Sequence, residues 1–237
     1  MTGLPRAAGG ELMDLPDAGR GDLERALDDL RGVNRWLGGT RVVLHHLAKL
    51  VAAHPRPSYR ILDVATGAAD IPLVVAKWAR SRGLATEIVA TDNHPTTLDL
   101  AREAVRAEPS IVVETADALR LPYPDASFDV ALCSTALHHF DDEDEAVAVL
   151  RELDRVSRIG FIVNDLSRSR PALLGAHLLA ATVWRRHRLT RHDGPLSVRR
   201  ALTAPEMRRL AERAGLRDAK VQSHFPFRLA LVVEKED

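Results

Sequence analysis

The chain has 237 residues, 46% hydrophobic and 28% charged, which is the composition of an ordinary globular protein and enough length for one large α/β domain. Thirty-three basic residues balance thirty-three acidic ones, so no overall field attracts nucleic acid or an anionic membrane, and we expect neither as a partner. The one cysteine, Cys133, excludes an intrachain disulfide and fits a reducing compartment, from which we expect a cytoplasmic protein.

The N-terminal part of the chain is predicted to contain a tail and two helices. Residues 1–20 lack the long apolar core of a secretory signal and are predicted to be a disordered tail. Apolar side chains then recur three and four residues apart over residues 22–30 and 41–53, which predicts two amphipathic helices. The segment HPRPSY ends the second helix, because proline disfavours helical backbone in the residue before it.

The centre of the chain alternates short apolar runs with helical stretches, which is typical of βαβ units around a parallel sheet. The predicted strands cover residues 60–65, 87–91, 111–115, 128–133 and 160–165, and the predicted helices cover residues 71–80, 95–107 and 143–156.

The C-terminal part is predicted to be helical first and extended at its end. A helix from residue 171 to about residue 186 leads into a basic, turn-rich segment, and a second helix begins at Thr203 with Glu206 completing a capping box. Residues 219–223 and 228–233 are predicted to pair antiparallel at the sheet edge. The most apolar stretch has about 13 residues, whereas a membrane span needs about 20, so we expect no membrane span.

The segment ILDVATGAADIP, residues 61–72, is the most informative part of the sequence. An apolar strand ends in an acid and is followed by small residues, of which Gly67 is expected to be indispensable, and then by a helix. Ligands of open α/β sheets lie beyond the carboxyl ends of the strands. A dinucleotide site requires further glycines where this loop has alanines, and Asp63 and Asp70 would repel a pyrophosphate. They suit the ammonium and sulfonium groups of S-adenosylmethionine.

Two later carboxylates fit the rest of an adenosine ligand. Asp92 follows the second strand, where a carboxylate can accept from both ribose hydroxyls, and Asp117 follows the third strand, where it can accept from the adenine amino group. Structural alternatives are open for each: Asp63 could cap backbone amides, Asp92 could cap the next helix, and Asp117 could be a turn residue.

The run LPYPDASFDVAL, together with the order and spacing of residues 60–165, resembles the class I S-adenosylmethionine-dependent methyltransferases, in particular the ubiquinone and menaquinone biosynthesis type. The resemblance implies an α/β fold, a Rossmann-like, seven-stranded and mostly parallel sheet with helices on both faces and an N-terminal helical flap. Residues 21–56 would form the flap, residues 57–237 the methyltransferase domain, and residues 166–202 approximately the acceptor lid.

The resemblance also implies S-adenosyl-L-methionine as the cofactor. Its expected contacts are Asp63, Ala65, Thr66, Gly67, Asp70, Asp92, Asn93, Asp117, Ala118 and Ser134. The family usually has glycine where this chain has Ala65 and Ala69. Because alanine is the smallest substitute, we expect a slightly tighter loop and retained binding.

His138 and His139 follow the fourth strand and are the candidate general bases. An imidazole with an ordinary pKa of about 6.5 can accept the proton of a phenol or quinol near neutrality. Alternatively, they are polar loop residues, one of them packing under the cofactor. No third metal ligand is visible at usable spacing, since His192 and Asp193 are far along the chain, so no metal is expected.

The expected acceptor is a small hydroxylated aromatic of natural-product or quinone metabolism. Its candidate contacts are Trp36, Asn164, His177, Arg191 and His192. The loop after the fourth strand lacks the Asn/Asp-Pro-Pro-aromatic element that clamps a flipped base, which disfavours nucleic acid. O-methylation is favoured, with C-methylation of a similar ring or a non-catalytic cofactor-binding module as alternatives, in a monomer or homodimer.

Overall fold

Seven strands and eight helices alternate along the residues that the computed structural model describes, 4–15 and 18–235. The strands are β1 (Ser58–Val64), β2 (Ala85–Asp92), β3 (Ile111–Thr115), β4 (Phe128–Ser134), β5 (Ser157–Leu166), β6 (Lys220–His224) and β7 (Arg228–Glu234). The helices are α1 (Arg20–Trp36), α2 (Gly39–Ala53), α3 (Asp70–Arg80), α4 (Pro95–Val105), α5 (Glu143–Val156), α6 (Arg170–Ala181), α7 (Arg188–Arg200) and α8 (Ala204–Ala214).

All seven strands form one sheet in the order β3-β2-β1-β4-β5-β7-β6. Neighbours from β3 to β5 are parallel, whereas β7 runs antiparallel to both β5 and β6. The predicted Rossmann-like, mostly parallel sheet and its antiparallel edge pair are therefore confirmed. The strand order reverses between β1 and β4, and this switch point opens a crevice beyond the carboxyl ends of the strands.

Helices cover both faces of the sheet because the central strands are buried on both sides. Along β4, Val130 and Leu132 pack in the layer of α2, α3 and α4, whereas Ala131 and Cys133 pack in the layer of α5 and α8. Side chains of a strand alternate between its two faces, so a continuous apolar run supplies both layers. This packing fixes the strand ends that carry the site.

The local signals for helix ends are largely confirmed. Helix α5 has the predicted bounds, and the capping box of α8 is present, with the Glu206 carboxylate accepting from the Thr203 amide at 2.7 Å. The basic segment predicted to be turn-rich is instead the helix α7, which carries Pro195 in its interior. Its buried residues include Leu189 and Val198, so packing against α6 and α1 outweighs the proline and glycine in this segment.

The N-terminal segment also differs from its prediction. Within the predicted disordered tail, residues 1–3 and 16–17 lie outside the described part of the chain. Residues 12–14 form a 3-10 helix whose first two amides donate to the carboxylate of Asp193 at 2.9 and 3.0 Å. The side chain of Glu11 is only 2% exposed. Hydrogen-bond partners on α7, distant in sequence, hold this segment in place.

The membrane prediction can be compared with the helices of the described residues. None of these helices combines the length and the apolar character needed to cross a bilayer.

Candidate functional site

A cavity of about 850 Å³ lies at the carboxyl ends of the strands. One side, here called the strand-end wall, comes from residues 65–70, 92–97, 116–119 and 134–136. The other side, here called the cap wall, comes from residues 11–14, 26–37, 166–198 and 226–228. Helix α1 contributes five residues to the cap wall, which is the position expected of an N-terminal flap.

The loop after β1 has the backbone shape of a glycine-rich turn although it contains only one glycine. Ala65, Gly67 and Ala69 all have left-handed φ angles, of 56°, 56° and 57°. A non-glycine residue in this conformation is strained by about 1–2 kcal/mol. The two alanines therefore occupy positions that favour glycine, and the loop keeps the turn that brings its backbone to the cavity.

The carboxylates around this loop make the strand-end wall suitable for a cation. Burial, together with the smaller effect of the neighbouring charges of Asp70 and Asp92, raises the pKa of Asp63 to about 7. Burial also raises the pKa values of Asp70 and Asp92. Raised pKa values mean that ionised carboxylates are costly here without a positive partner. An ammonium or sulfonium group would supply that partner, whereas a pyrophosphate would add to the repulsion.

Several buried polar atoms at the strand ends have no hydrogen-bond partner among the described residues. They are Oδ1 of Asp63, Oγ1 of Thr66 and Oγ of Ser134. Buried polar groups in folded proteins are nearly always paired, so unpaired ones next to a cavity indicate a ligand that pairs them. The residues present thus fit a polar, positively charged ligand at the ends of β1 and β4.

Asp70 is held by a network that the sequence did not reveal. Its Oδ2 accepts from Asn34 Nδ2 at 3.0 Å, and Asn34 Oδ1 in turn accepts from Arg228 at 3.2 Å. Arg228 is 1% exposed and also donates to Thr135 Oγ1 at 3.1 Å. This network joins the flap helix α1 to β7 and to the loop after β4. An arginine in an apolar C-terminal strand was the one available signal for it.

Asp92 and Asp117 lie along the same wall. Asp92 accepts from the Gly67 amide and from the His94 amide, both at 3.0 Å, and it is His94 that caps α4. The predicted alternative of Asp92 as a helix cap is therefore wrong. Asp117 accepts from the Leu119 amide at 2.9 Å, as a turn residue does, and its side chain also borders the cavity.

The predicted cofactor residues are brought together by the fold. Those that line the cavity are Ala65, Thr66, Gly67, Asp70, Asp92, Asn93, Asp117, Ala118 and Ser134. Asp63 is buried at the end of β1 and is not a lining residue. Their contacts with a cofactor remain a prediction.

His138 lies where the strand-end and cap walls meet and is 1% exposed. Its Nδ1 is 2.7 Å from Asp165 Oδ1, and its Nε2 is 3.5 Å from Glu11 Oε1. Burial lowers the pKa of His138, but the two carboxylates outweigh burial and raise the pKa to about 10. A protonated imidazole has no free lone pair, so His138 does not have the properties of the predicted general base in this arrangement.

His139 is more accessible than His138 and has two carboxylate neighbours of its own. Its Nδ1 is 2.9 Å from Asp14 Oδ2, and its Nε2 is 3.8 Å from Glu11 Oε2. Glu11 therefore lies between both imidazoles. The sequence could not predict this contact, because Glu11 precedes the histidines by more than a hundred residues.

The side chains predicted to bind the acceptor do not line the cavity. They are Trp36, Asn164, His177, Arg191 and His192. Asn164 is fully buried within β5, and the other four are exposed. The helix predicted over residues 171–186 ends at Ala181, and periodicity did not show which of its faces turns inward. Contacts of these five residues with an acceptor stay a prediction.

Mostly apolar side chains line the cap wall instead. The inward face of α6 carries Ala172, Gly175, Ala176, Leu178 and Leu179, and it is joined by Leu30, Val33, Leu166, Trp184, Val198 and Phe227. Trp184 fits closely against α7, since a Cβ added to Gly194 would come within 2.7 Å of its ring. The cap wall therefore offers apolar surface to a second, less polar ligand.

Comparison with known proteins agrees with this geometry. Residues 62–163 match the family described as a methyltransferase domain. The chain is 43% identical over 102 residues to the demethylmenaquinone methyltransferase of Deinococcus radiodurans, covering 43% of this chain and 39% of that protein. It is 32% identical over 134 residues to the 2-phytyl-1,4-naphtoquinone methyltransferase of Synechococcus elongatus, covering 54% of this chain and 55% of that protein. The matches thus span about half the length of these curated relatives or less.

Solved structures share the fold at low sequence identity. A SAM-dependent methyltransferase from Aquifex aeolicus superposes with a TM-score of 0.61 at 16% identity, over 88% of this chain and 96% of that one. The magnesium protoporphyrin IX methyltransferase of Synechocystis, solved with bound SAH, gives 0.55 at 18% identity, over 84% of each. The matched segment and the shared fold support an S-adenosylmethionine-dependent methyltransferase. The curated relatives that the chain resembles over part of their length are methyltransferases of the ubiquinone and menaquinone biosynthesis type.

Proposed function

We propose that this chain transfers the methyl group of S-adenosylmethionine to a ring carbon of a small, largely apolar quinol-type aromatic in quinone metabolism. The observation that carries the proposal is a group of three acids, the buried Asp63 and the partly buried Asp70 and Asp92, beside a left-handed loop at the sheet switch point. A cavity with an acidic wall and an apolar wall accommodates a cationic donor beside an apolar acceptor.

The strand-end wall is the proposed cofactor site. S-adenosylmethionine supplies an electrophilic methyl group on a sulfonium. Asp63 and Asp70 attract the positive charges of the methionine end, Asp92 accepts from the ribose hydroxyls, and Asp117 accepts from the adenine amino group. Asn34 fixes Asp70 through its 3.0 Å hydrogen bond, which holds that carboxylate in place before the ligand arrives.

The cap wall is the proposed acceptor site. Its apolar side chains exclude water from the space above the strand ends, and water would otherwise stabilise the localised charge of the sulfonium more than its dispersed charge in the transition state. Helices α1, α6 and α7 all contribute to this wall, so the flap and the lid close the same volume.

Carbon rather than oxygen is the proposed methyl acceptor. The histidine pair in the sequence favours methylation of a hydroxyl oxygen, but the relatives are named as methyltransferases of quinones, some of them as C-methyltransferases. One of them, 32% identical over 124 residues, is the ubiquinone/menaquinone biosynthesis C-methyltransferase UbiE of Laribacter hongkongensis, with 52% of this chain and 48% of that protein covered. Loss of a hydroxyl proton activates the ring carbon next to it, so either outcome needs a proton acceptor.

His139 is the proposed proton acceptor of the histidine pair. It borders the cavity and is partly exposed, whereas His138 is enclosed between two carboxylates. Replacement His139→Gln should lower kcat at least about tenfold, since general base catalysis contributes about 10²–10⁴-fold. Unchanged turnover in this variant would exclude the assignment.

The function is tested by incubating the purified chain with methyl-deuterated S-adenosylmethionine and a panel of naphthoquinols, benzoquinols and phenols. Mass spectrometry of the products reports methyl transfer, and NMR distinguishes a ring methyl group from a methyl ether. A deuterated ring methyl group on a quinol supports the proposal. A methyl ether would favour O-methylation, and unmodified acceptors throughout would refute the proposed reaction.

A cofactor-binding module without catalysis is the second candidate, since the structure has two alanines in strained loop positions. Calorimetric titration with S-adenosylmethionine separates the candidates. Saturable binding without any methylated product would favour the module, whereas absence of binding would exclude both.

A further inference from the structure

Three potential metal ligands from distant parts of the chain meet at the junction of the two cavity walls. They are Glu11 of the N-terminal segment and the adjacent histidines after β4. Oε1 of Glu11 is 3.5 Å from Nε2 of His138, and Oε2 is 3.8 Å from Nε2 of His139. One ligand atom from each residue lies within 4.8 Å of the other two.

These separations suit one shared ion. In a tetrahedral site with ligand distances of about 2.0–2.2 Å, the ligand atoms lie roughly 3.4 Å apart. The separations of 3.5 and 3.8 Å, which end at different oxygens of Glu11, exceed that value by a few tenths of an ångström, and one ligand atom from each residue lies within 4.8 Å of the others. Small side-chain movements therefore allow all three residues to contact a single ion.

The other ring nitrogen of each histidine already has the partner expected around a metal centre. Nδ1 of His138 is 2.7 Å from a carboxylate oxygen of Asp165, and Nδ1 of His139 is 2.9 Å from a carboxylate oxygen of Asp14. Metal-binding histidines usually donate their second nitrogen to a carboxylate, carbonyl or water, which orients the ring. Both Nε2 atoms are thus directed at Glu11 by hydrogen bonds on the far side of the rings.

Glu11 is held in place from the opposite side. Its Oε1 accepts from Ser197 Oγ at 2.8 Å, and Asp193 binds the two backbone amides that follow Glu11. The guanidinium of Arg200 is 3.9 Å from Glu11 and 3.4 Å from Asp141. The carboxylates of Glu11, Asp14, Asp141 and Asp165 outnumber the two cations, Arg200 and the protonated His138, and a bound ion would displace the proton of His138.

We propose that Glu11, His138 and His139 bind one divalent first-row transition-metal ion of the zinc or iron type. Two imidazoles and one carboxylate suit these metals, whereas magnesium and calcium prefer oxygen ligands throughout. All three residues border the cavity, so the remaining coordination positions face it and can take an oxygen ligand. A bound ion would occupy the Nε2 lone pair of His139, so the proposed role of His139 as general base applies to the metal-free chain.

Metal binding is tested on the full chain after treatment with a chelator and dialysis, without cofactor or acceptor. Cobalt(II) is the optical probe, and zinc(II) is used for calorimetry and X-ray absorption. We expect one equivalent of cobalt per chain with visible d–d bands. Glu11→Gln and His139→Gln should each weaken cobalt binding at least about tenfold, and Asp14→Asn should weaken it less, because it removes only a supporting hydrogen bond.

His187→Gln is the matched control, since His187 also has a carboxylate partner, Asp29 at 2.6 Å, but lies outside the cluster. This variant should bind cobalt as the wild type does, and circular dichroism should establish that each variant is folded. X-ray absorption of the zinc-loaded wild type should show two imidazole ligands, a measurement that needs no variant.

Three results would overturn the proposal. They are no stoichiometric cobalt binding by the folded wild type, wild-type cobalt affinity in the Glu11→Gln and His139→Gln variants, or a zinc site with fewer than two imidazole ligands. Because neither cofactor nor acceptor is present, these results are independent of the proposed methyl transfer.

Discussion

The strand-end wall and the cap wall of the cavity are built on different principles. Residues of the strand-end wall lie at or just after the ends of β1 to β4. Each, like Gly67 and Asp92, is close to an apolar run that can be recognised as a strand in the sequence. The cap wall combines an N-terminal segment, three helices and the start of β7, and residues such as Glu11 and Arg228 meet across most of the chain length.

We therefore expect that the two walls can be altered separately. The strand-end wall is specified by backbone geometry and buried charge, which suit a constant cofactor. The cap wall is specified mainly by which helix faces turn inward, which suits an acceptor that differs between relatives. Changes in the strand-end wall should affect cofactor affinity, and changes in the cap wall should affect turnover of the acceptor.

The largest effect is expected from Gly67→Val in the strand-end wall. Gly67 has a φ of 56°, and a Cβ there would lie 3.4 Å from Leu27 of the flap. A β-branched side chain in this left-handed position should move the loop and weaken S-adenosylmethionine binding about a hundredfold or more, measured by calorimetry. Gly83→Val is the matched control: Gly83 has a φ of 69° with open space around it, so cofactor affinity should persist. Equal losses in both variants would contradict a specific role of this loop.

Asp92→Ala should have the next largest effect. Removing the carboxylate deletes the acceptor of the Gly67 amide and the proposed partner of the ribose, at about 1.5–3 kcal/mol per charged hydrogen bond. We expect cofactor affinity to fall about 10–100-fold in a calorimetric titration. Asp99→Ala, which removes an exposed acid paired with Arg102 on α4, should leave affinity unchanged. Wild-type affinity in the Asp92 variant would exclude the ribose contact.

Gly175→Leu tests whether the cap wall acts separately. Gly175 lines the cavity from α6, and a Cβ there would meet no atom within 4 Å, so leucine can extend into the acceptor volume without a clash. Methylation of a large quinol should fall about tenfold or more, while cofactor affinity stays within about twofold and helix stability does not decrease. Gly32→Leu on α1, also in open space but outside the cavity lining, is the control for turnover. A loss of cofactor affinity in the Gly175 variant would break the division between the two walls.

A smaller effect is expected from pH. Because burial raises the pKa of Asp63 to about 7, this carboxyl is largely protonated below that pH in the free protein, and it must ionise to attract a cationic ligand. S-adenosylmethionine affinity should therefore rise about tenfold between roughly pH 6 and pH 8, with proton release below pH 7. In the ligand-free protein, Asp63 changes the free energy of unfolding in the opposite direction. Its stabilising contribution is greatest below about pH 4 and is lost as the pH rises through about 7. Calorimetry in buffers of different ionisation enthalpy measures the proton release, and Asp63→Asn should abolish it. The same pH dependence in this variant would assign it to another group.

Ala65→Gly should have the smallest effect. Glycine relieves the left-handed strain of Ala65 but loses more backbone entropy on folding, so the free energy of unfolding should change by less than about 1 kcal/mol. Cofactor affinity should remain within about threefold. Ala126→Gly is the control, since Ala126 has a φ of 49° in an exposed turn. A larger stability change at residue 65 alone, measured by thermal unfolding, would show that the loop holds strain beyond its own φ angle.

Most of the fold could be predicted because its signals are local. The apolar runs, the Thr203–Glu206 capping box and the alternation of strands with helices each depend on neighbouring residues, and the sheet and its edge pair follow from them. The helix α7 was missed because its proline and glycine disfavour a helix locally, whereas contacts with α1 and α6 decide its conformation.

The strand-end wall could be predicted from the sequence, since an acid or glycine directly after a buried strand must lie at the carboxyl edge of a parallel sheet. The cap wall could not, because it depends on contacts between distant parts of the chain. The contact of Glu11 with the histidines, the burial of Arg228 and the outward position of His177 depend on how helices rotate and pack. Helical periodicity gives the spacing of side chains around an axis, but the direction of each face is fixed by its neighbours in space.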